Sequence, residues 1–362
     1  MMRRLLLLAA LTLLLVLSAP PTCAAKAKSK NKNTPAPTTA AAQPSFSTSS
    51  SPPPKSERDN DPVILQVRGL RNTAMKDNDR KAYDASIEKL REALTLMHNR
   101  VFGDGRAAVK KSEQSMDAAL YAQLLTDYGG VLIRSKNYDE AIDVLEDAIE
   151  MIKRVFGESH PSMGLSLRSL AEAYLAKKEY KTAIKKYKSL RKHIEIGLGV
   201  AHEAYIEVHL KIAEAYKKLD KVPRAVKTLK NALDDQGDEV NGATQGIGEV
   251  YMELATLQLK TRELADAERA AEAARAIMRH REGEKSLPHA FALNALAGVK
   301  MAQNQVEAAY KLLQQAHAIA LELFGKGHSM VTSSQQTLDQ VKLRLDDERR
   351  KAAEGDDGHT EL

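Results

Sequence analysis

Leu170-Ala171-Glu172-Ala173-Tyr174, followed by Tyr180-Lys181-Thr182-Ala183, is the stretch that decides the fold. Its last alanine recurs: Ala141, Ala183, Ala225, Ala267 and Ala309 each stand 42 positions from the next. Three residues before each lies a bulky side chain: Tyr138, Tyr180, Val222, Leu264 and Val306. Twelve to thirteen before lies an apolar-plus-small pair, Leu170-Ala171, Ile212-Ala213, Leu254-Ala255 and Leu296-Ala297. Positions that keep step along a chain mark stacked copies of one supersecondary unit. The small residues let a neighbouring helix approach, and the bulky one fills the gap between two helices.

The composition, rich in Ala, Leu, Glu and Lys and without Trp, favours helix. The net charge of +6 is unevenly placed. Arg3 and Arg4 supply +2 and residues 26–61 supply +3, which leaves +1 for residues 62–362. The basic character therefore belongs to the leading segment, and nucleic acid is not an expected partner.

Residues 1–25 read as a secretory signal peptide, with Arg3-Arg4 before an apolar run from Leu5 to Ala19 and small residues around Ala24 and Ala25. That run is short for a membrane span, so no stable membrane insertion is expected after cleavage. Residues 26–60, rich in Lys, Ser, Thr and Pro, read as a disordered linker. The repeat array is expected over 61–350, with Asp61 as N-cap and Pro62 at the first helical position. A first repeat over about 62–100 places Ala85 at the alanine position, 56 residues before Ala141. The 14 residues beyond the period fall around Gly103 to Glu113. The amphipathic stretch Val331 to Arg350, with Leu338, Val341 and Leu345 at helical spacing, reads as a capping helix. Residues 351–362 form an acidic tail ending His359-Thr360-Glu361-Leu362, which resembles the KDEL/HDEL signals for return to the endoplasmic reticulum. Leader and tail together indicate the lumen of that compartment. The alternatives are secretion, or a plastid reached through a bipartite leader, because Lys26 to Ser56 holds no acidic residue. The only cysteine, Cys23, falls within the leader.

The pattern resembles the tetratricopeptide repeat in the 42-residue form of kinesin light chains. Phe156-Gly157-Glu158-Ser159-His160-Pro161 supplies the loop after the second helix; its glycine recurs at Gly199, Gly283 and Gly325, its histidine at His202 and His328. The resemblance implies an all-α fold, a right-handed α-α superhelix of about six helical hairpins with a C-terminal capping helix. It also implies protein binding on the concave face. The carboxylate clamp of chaperone-binding relatives is not expected. Its asparagine position holds Gly130, Glu172, Glu214, Thr256 and Gly298, and its basic position Thr126, Arg168, Leu210, Met252 and Asn294. The kinesin groove asparagine is replaced by Ser169, Lys211, Glu253 and Ala295.

The groove for an unidentified polypeptide is therefore read from this chain's own residues. Arg168, Glu172, Glu207, Glu214, Lys217 and Lys218 give a polar, acidic middle, and Met252, Leu259, Phe291 and Met301 a more apolar end. Spaced by whole repeats, His160, His202 and His328 make no metal set and read as solvent-exposed or loop-capping histidines. Gly246-Ile247-Gly248 lacks the third glycine of a phosphate-binding turn. No catalytic constellation, metal or cofactor is expected. The expected function is a non-enzymatic scaffold or co-chaperone of the endoplasmic reticulum lumen. The alternative is an accessory subunit of a lumenal or plastid enzyme complex.

Overall fold

A computed structural model describes residues 60–103, 111–236 and 246–356. The leader 1–25, nearly all of the linker, the Asn241-Gly242 loop and the tetrapeptide His359 to Leu362 lie outside them. The chain divides between Leu65 and Gln66 into two units. In the first, Asp61 Oδ1 accepts from the backbone N–H groups of Val63 (2.9 Å) and Ile64 (3.3 Å), the N-cap that Asp before Pro announces.

The described residues form thirteen helices and no strand. They are α1 (Pro62–Asp79), α2 (Tyr83–Phe102), α3 (Lys111–Arg134), α4 (Tyr138–Phe156), α5 (Ser162–Ala176), α6 (Tyr180–Gly197) and α7 (Glu203–Lys218). Then follow α8 (Val222–Asp234), α9 (Ile247–Lys260), α10 (Leu264–Glu282), α11 (Leu287–Ala302), α12 (Val306–Phe324) and α13 (Ser329–Asp356). Odd-numbered helices begin a repeat and even-numbered ones complete it. From α3 onward each helix packs on the next, and α3 also touches α5, α7 touches α9, and α9 touches α11. The first helices of successive repeats thus share one face, called here the A-helix face.

The 42-residue alanines all stand at 0% exposure, as do Ala171 and Ala213 on the preceding helices. That absence of side-chain bulk is what the close stacking requires. The first repeat differs from the sequence expectation. Ala85 is exposed, and Ser86 fills the alanine position at 0% exposure. Lys81, with φ of 64°, matches Lys136 with φ of 68°, so the register from repeat one to repeat two is 55 residues rather than 56. Ser86 is tolerated there because its hydroxyl donates to Ala74 O at 2.8 Å.

The turn within each repeat is one geometry used six times. Lys81, Lys136, Lys178, Asp220, Arg262 and Asn304 all take positive φ. At Lys178 the flanking amides close a helix-ending pair, Lys178 N to Leu175 O (3.0 Å) and Glu179 N to Tyr174 O (2.8 Å). Between repeats the glycines do the work. Gly157 (φ 87°, ψ 171°) and Gly325 (φ 74°, ψ 167°) carry the positive φ expected of a cap, but with an extended ψ beyond the left-handed helical region, which only glycine enters readily.

The loop histidines then start the next helix. His160 Nδ1 accepts from Ser162 N (3.3 Å), His202 Nδ1 from Ala204 N (3.1 Å) and His328 Nδ1 from Met330 N (3.2 Å). Ser286 holds the same repeat position and accepts from His289 N at 3.3 Å. The rings of His160 and His328 also stack on Phe156 and Phe324, at 4.5 and 4.4 Å. Replacing His202 by alanine is expected to lower stability by about 1 kcal/mol, while asparagine retains most of it. Amide exchange at the start of α7 would report the difference, and equal protection in the two variants would disprove the cap.

Helix α13 ends the array. Leu338, Val341 and Leu345 pack with Ala297, Val306, Ala309 and Leu313. Among its described side chains that reach solvent, only Met330 and Leu343 are apolar, so these form no uncovered apolar stripe.

Candidate functional site

The site is built on α5, α6 and α7. On α5, Arg168 and Glu172 are one helical turn apart and project from the A-helix face. Arg168 Nη1 donates to Glu207 Oε1 on α7 at 2.7 Å, tying the two first helices together. Along α7, Lys211 Nζ meets Glu214 Oε2 at 3.2 Å, and Lys217 pairs across the repeat boundary with Glu253 of α9. These pairs are half-buried to exposed, so each contributes only modestly to stability.

Among the described residues Glu172 has no hydrogen-bond or ion-pair partner, the neighbouring Arg168 being turned to Glu207. Burial pushes its carboxyl above the usual carboxylate range, against the opposing pull of the Arg168 and Lys211 cations. Beneath it lies Tyr187 of α6. Its ring is packed among Ala171, Ala183, Ile184, Tyr205, Val208, Ile212 and Ala215, at 0% exposure. Its hydroxyl bonds to no protein atom. Burial foremost, with the Glu172, Glu214 and Glu207 carboxylates, pushes its ionisation far up, against the opposing pull of the Arg168 cation. The tyrosine therefore spans the core from the second-helix layer and ends under the A-helix face.

The structure thus brings Arg168, Glu172, Glu207 and Glu214 together around one point. Lys217 lies further along α7 with Glu253, and Lys218 is exposed. The apolar residues are half-buried and spread over two helices, Met252 and Leu259 on α9 and Phe291 and Met301 on α11. Met252 leans on Ala274, Met278 and Ala292; Leu259 and Met301 rest against two other core clusters. Phe291 is half-buried on α11. Tyr187 was not legible as a site residue from the repeat pattern. The available signal was a departure from it: the equivalent positions hold Leu145, Leu229, Ala271 and Leu313.

Elsewhere the polar contacts join neighbouring repeats. Arg91 donates through Nε to the Tyr128 hydroxyl (2.6 Å) and through Nη2 to Glu140 (2.7 Å), while Tyr128 donates to the same Glu140 oxygen at 2.5 Å. Burial foremost, with the Glu140 bond, pushes the Tyr128 phenol up to about 12; the two donors hold Glu140 below its ordinary range. Among the described residues no three His, Cys, Asp or Glu side chains converge as a metal site would need, and no helix is long and apolar enough to cross a membrane.

Comparison with known proteins agrees with this architecture. Tetratricopeptide-repeat family models match residues 120–193 and 292–329. The solved structure of BtubC (BKLC) from P. vanneervenii superposes with a TM-score of 0.54 over 68% of this chain and 94% of its own, at 15% identity, and shows the fold alone. The RxLR effector protein SFI4 of Phytophthora infestans is 57% identical, over 81% of this chain and 87% of its own length. The secreted RxLR effector protein RXLR-C07 of Plasmopara halstedii is 57% identical, over 79% of this chain and 88% of its own.

Both names spell a tetrapeptide, and this chain carries it as Arg68-Gly69-Leu70-Arg71. A search for repeats passes over these residues because they sit inside the helical stretch α1. Arg71 Nε donates to Asp127 Oδ2 of α3 at 2.5 Å, with both side chains largely buried. With 57% identity spread over four fifths of its length, the chain belongs to the family of RxLR effector proteins that includes SFI4 and RXLR-C07, and it is built of tetratricopeptide repeats.

Proposed function

We propose that this protein is a secreted, non-enzymatic scaffold that binds a polypeptide segment along the A-helix face. The observation that carries this reading is the run of that face: α3 meets α5, α7 meets α9 and α9 meets α11, while the Arg168–Glu207 pair bridges α5 and α7, so one extended chain can cross several repeats. The secretory leader read at Arg3 to Ala25 and the name of the relative from Plasmopara halstedii support an extracellular route.

Site-specific photo-crosslinking tests the face. A benzophenone side chain at Glu207, on the A-helix face, is expected to capture a polypeptide partner. The same probe at Lys188, exposed on α6, is expected to capture none. Equal capture from both positions would refute a groove.

A second reading of place rests on His359-Thr360-Glu361-Leu362, which favours residence in the endoplasmic reticulum lumen as a scaffold or co-chaperone there. Deleting those four residues converts retention into secretion if that reading holds. Secretion of the intact chain at the same level as the deletion rules it out.

A further inference from the structure

We propose that the floor of the A-helix face between α5 and α7 is a receptor for one arginine side chain of the bound polypeptide, with the Glu172 carboxylate and the Tyr187 hydroxyl as its contact groups. The proposal rests on the polypeptide-binding reading above and adds the chemistry of the bound segment.

Two observations converge on this point. Tyr187 is at 0% exposure and its hydroxyl has no protein partner. Leaving such a group unpaired is costly. The aliphatic side chains at the same position of the other repeats, Leu145, Leu229, Ala271 and Leu313, fill the core without that cost. Packing therefore does not account for the hydroxyl. Independently, Glu172 is the one carboxylate of this cluster without a bonded cation, since Glu207 is held by Arg168 and Glu214 by Lys211.

The chemistry that satisfies both groups is a donor. A carboxylate only accepts, and a phenol oxygen accepts as well. With Glu207 and Glu214 already paired to Arg168 and Lys211, an anion would bring its charge against the carboxylate of Glu172, which has no bonded cation. A guanidinium presents five N–H donors in a planar fork, enough to bond a carboxylate and an adjacent hydroxyl together, and it desolvates more readily than an ammonium. Each donor bond it makes here replaces none already present in the protein.

The test uses the full chain and three capped nine-residue peptides of alternating glycine and serine, with arginine, citrulline or glutamate at the centre. Methyl NMR of Ala171, Ala173 and Ala215 reports on the floor of the site. The arginine peptide is expected to shift those methyls, and the neutral citrulline peptide to bind about tenfold more weakly, because it removes the charge while keeping the shape. Glu172→Gln should weaken the arginine peptide by a similar factor. Tyr187→Phe should weaken it too, yet raise the melting temperature of the free protein, because the unpaired hydroxyl is gone. Opposite signs in affinity and stability are what a structural role for Tyr187 could not produce. Equal binding of arginine and citrulline peptides at the same methyls would overturn the arginine receptor while leaving polypeptide binding standing. Shifts confined to other helices, no binding of the arginine peptide, or a destabilised Tyr187→Phe variant would each overturn it as well.

Discussion

Replacing Asp117 by alanine is expected to destabilise the N-terminal end of the array by about 3–5 kcal/mol, the range for removing one partner of a buried ion pair. Asp117 Oδ2 accepts from Arg100 Nε at 2.7 Å, and the two side chains are 3% and 17% exposed. This bond joins the end of α2 to the start of α3, where the chain carries its extra residues between the first and second repeats. Once the carboxylate is gone, the Arg100 charge stays in a site that water reaches poorly. Asparagine at position 117 keeps an acceptor oxygen without the charge and is expected to lose less. Because repeat arrays unfold in parts, the effect is read as an early transition in thermal unfolding and as lost amide protection in α2 and α3. An unfolding profile unchanged within 1 kcal/mol would show the pair to be dispensable.

The second large effect is expected at Gly129. A methyl group placed there would meet Leu145 Cγ at 2.5 Å, Cδ2 at 2.7 Å and Cδ1 at 3.0 Å. Leu145 is at 0% exposure and all three contacts fall on the branched end of its side chain, so it cannot step aside. Overpacking of this kind costs about 1–3 kcal/mol, offset by up to about 1 kcal/mol from the better helix propensity of alanine. Gly129→Ala should therefore be destabilising on balance. Adding Leu145→Ala to it should cost less than Leu145→Ala does alone in the parent, because the new methyl partly fills the space. Gly248 provides the contrast. Its obstruction is the sulfur end of Met278, an unbranched side chain with other rotamers open to it, so Gly248→Ala should be near neutral. Chemical denaturation of the four variants, Gly129→Ala, Leu145→Ala, their combination and Gly248→Ala, separates these outcomes. Similar losses at Gly129 and Gly248 would mean that the array accommodates bulk regardless of branching.

Much of the architecture is legible in the sequence because stacking imposes the same demand at every repeat. Ala183 and Ala225 are small for the same reason, Gly157 and Gly325 bend the chain alike, and His160, His202 and His328 bond the same backbone group. A shared period averages out local irregularity and leaves these constraints visible. Where a repeat solves its problem differently, the period misleads. Ser86 takes an alanine's place because a carbonyl one helix away bonds its hydroxyl, and no pattern of apolar residues encodes that partner. The candidate site is harder still. Residues on the A-helix face are not constrained by stacking, so Glu172 and Glu214 look like any solvated charge until α5 and α7 are placed side by side. Tyr187 reads as one more large core residue, and its hydroxyl matters only once the end of its ring is known to stop beneath that face.

The helical state of Arg68 to Arg71 bears on how any other protein could grip those four residues. In α1 the tetrapeptide rises only about 1.5 Å per residue, and its side chains fan around a cylinder at about 100° intervals. A cleft shaped for a straight strip needs about 3.3 Å per residue and side chains on alternating sides. Such a cleft would have to unwind α1 first and pull Arg71 away from Asp127. A surface that reads the folded chain would instead meet Arg68 and Leu70 on different sides of a rod, and would find Arg71 already engaged by the next repeat.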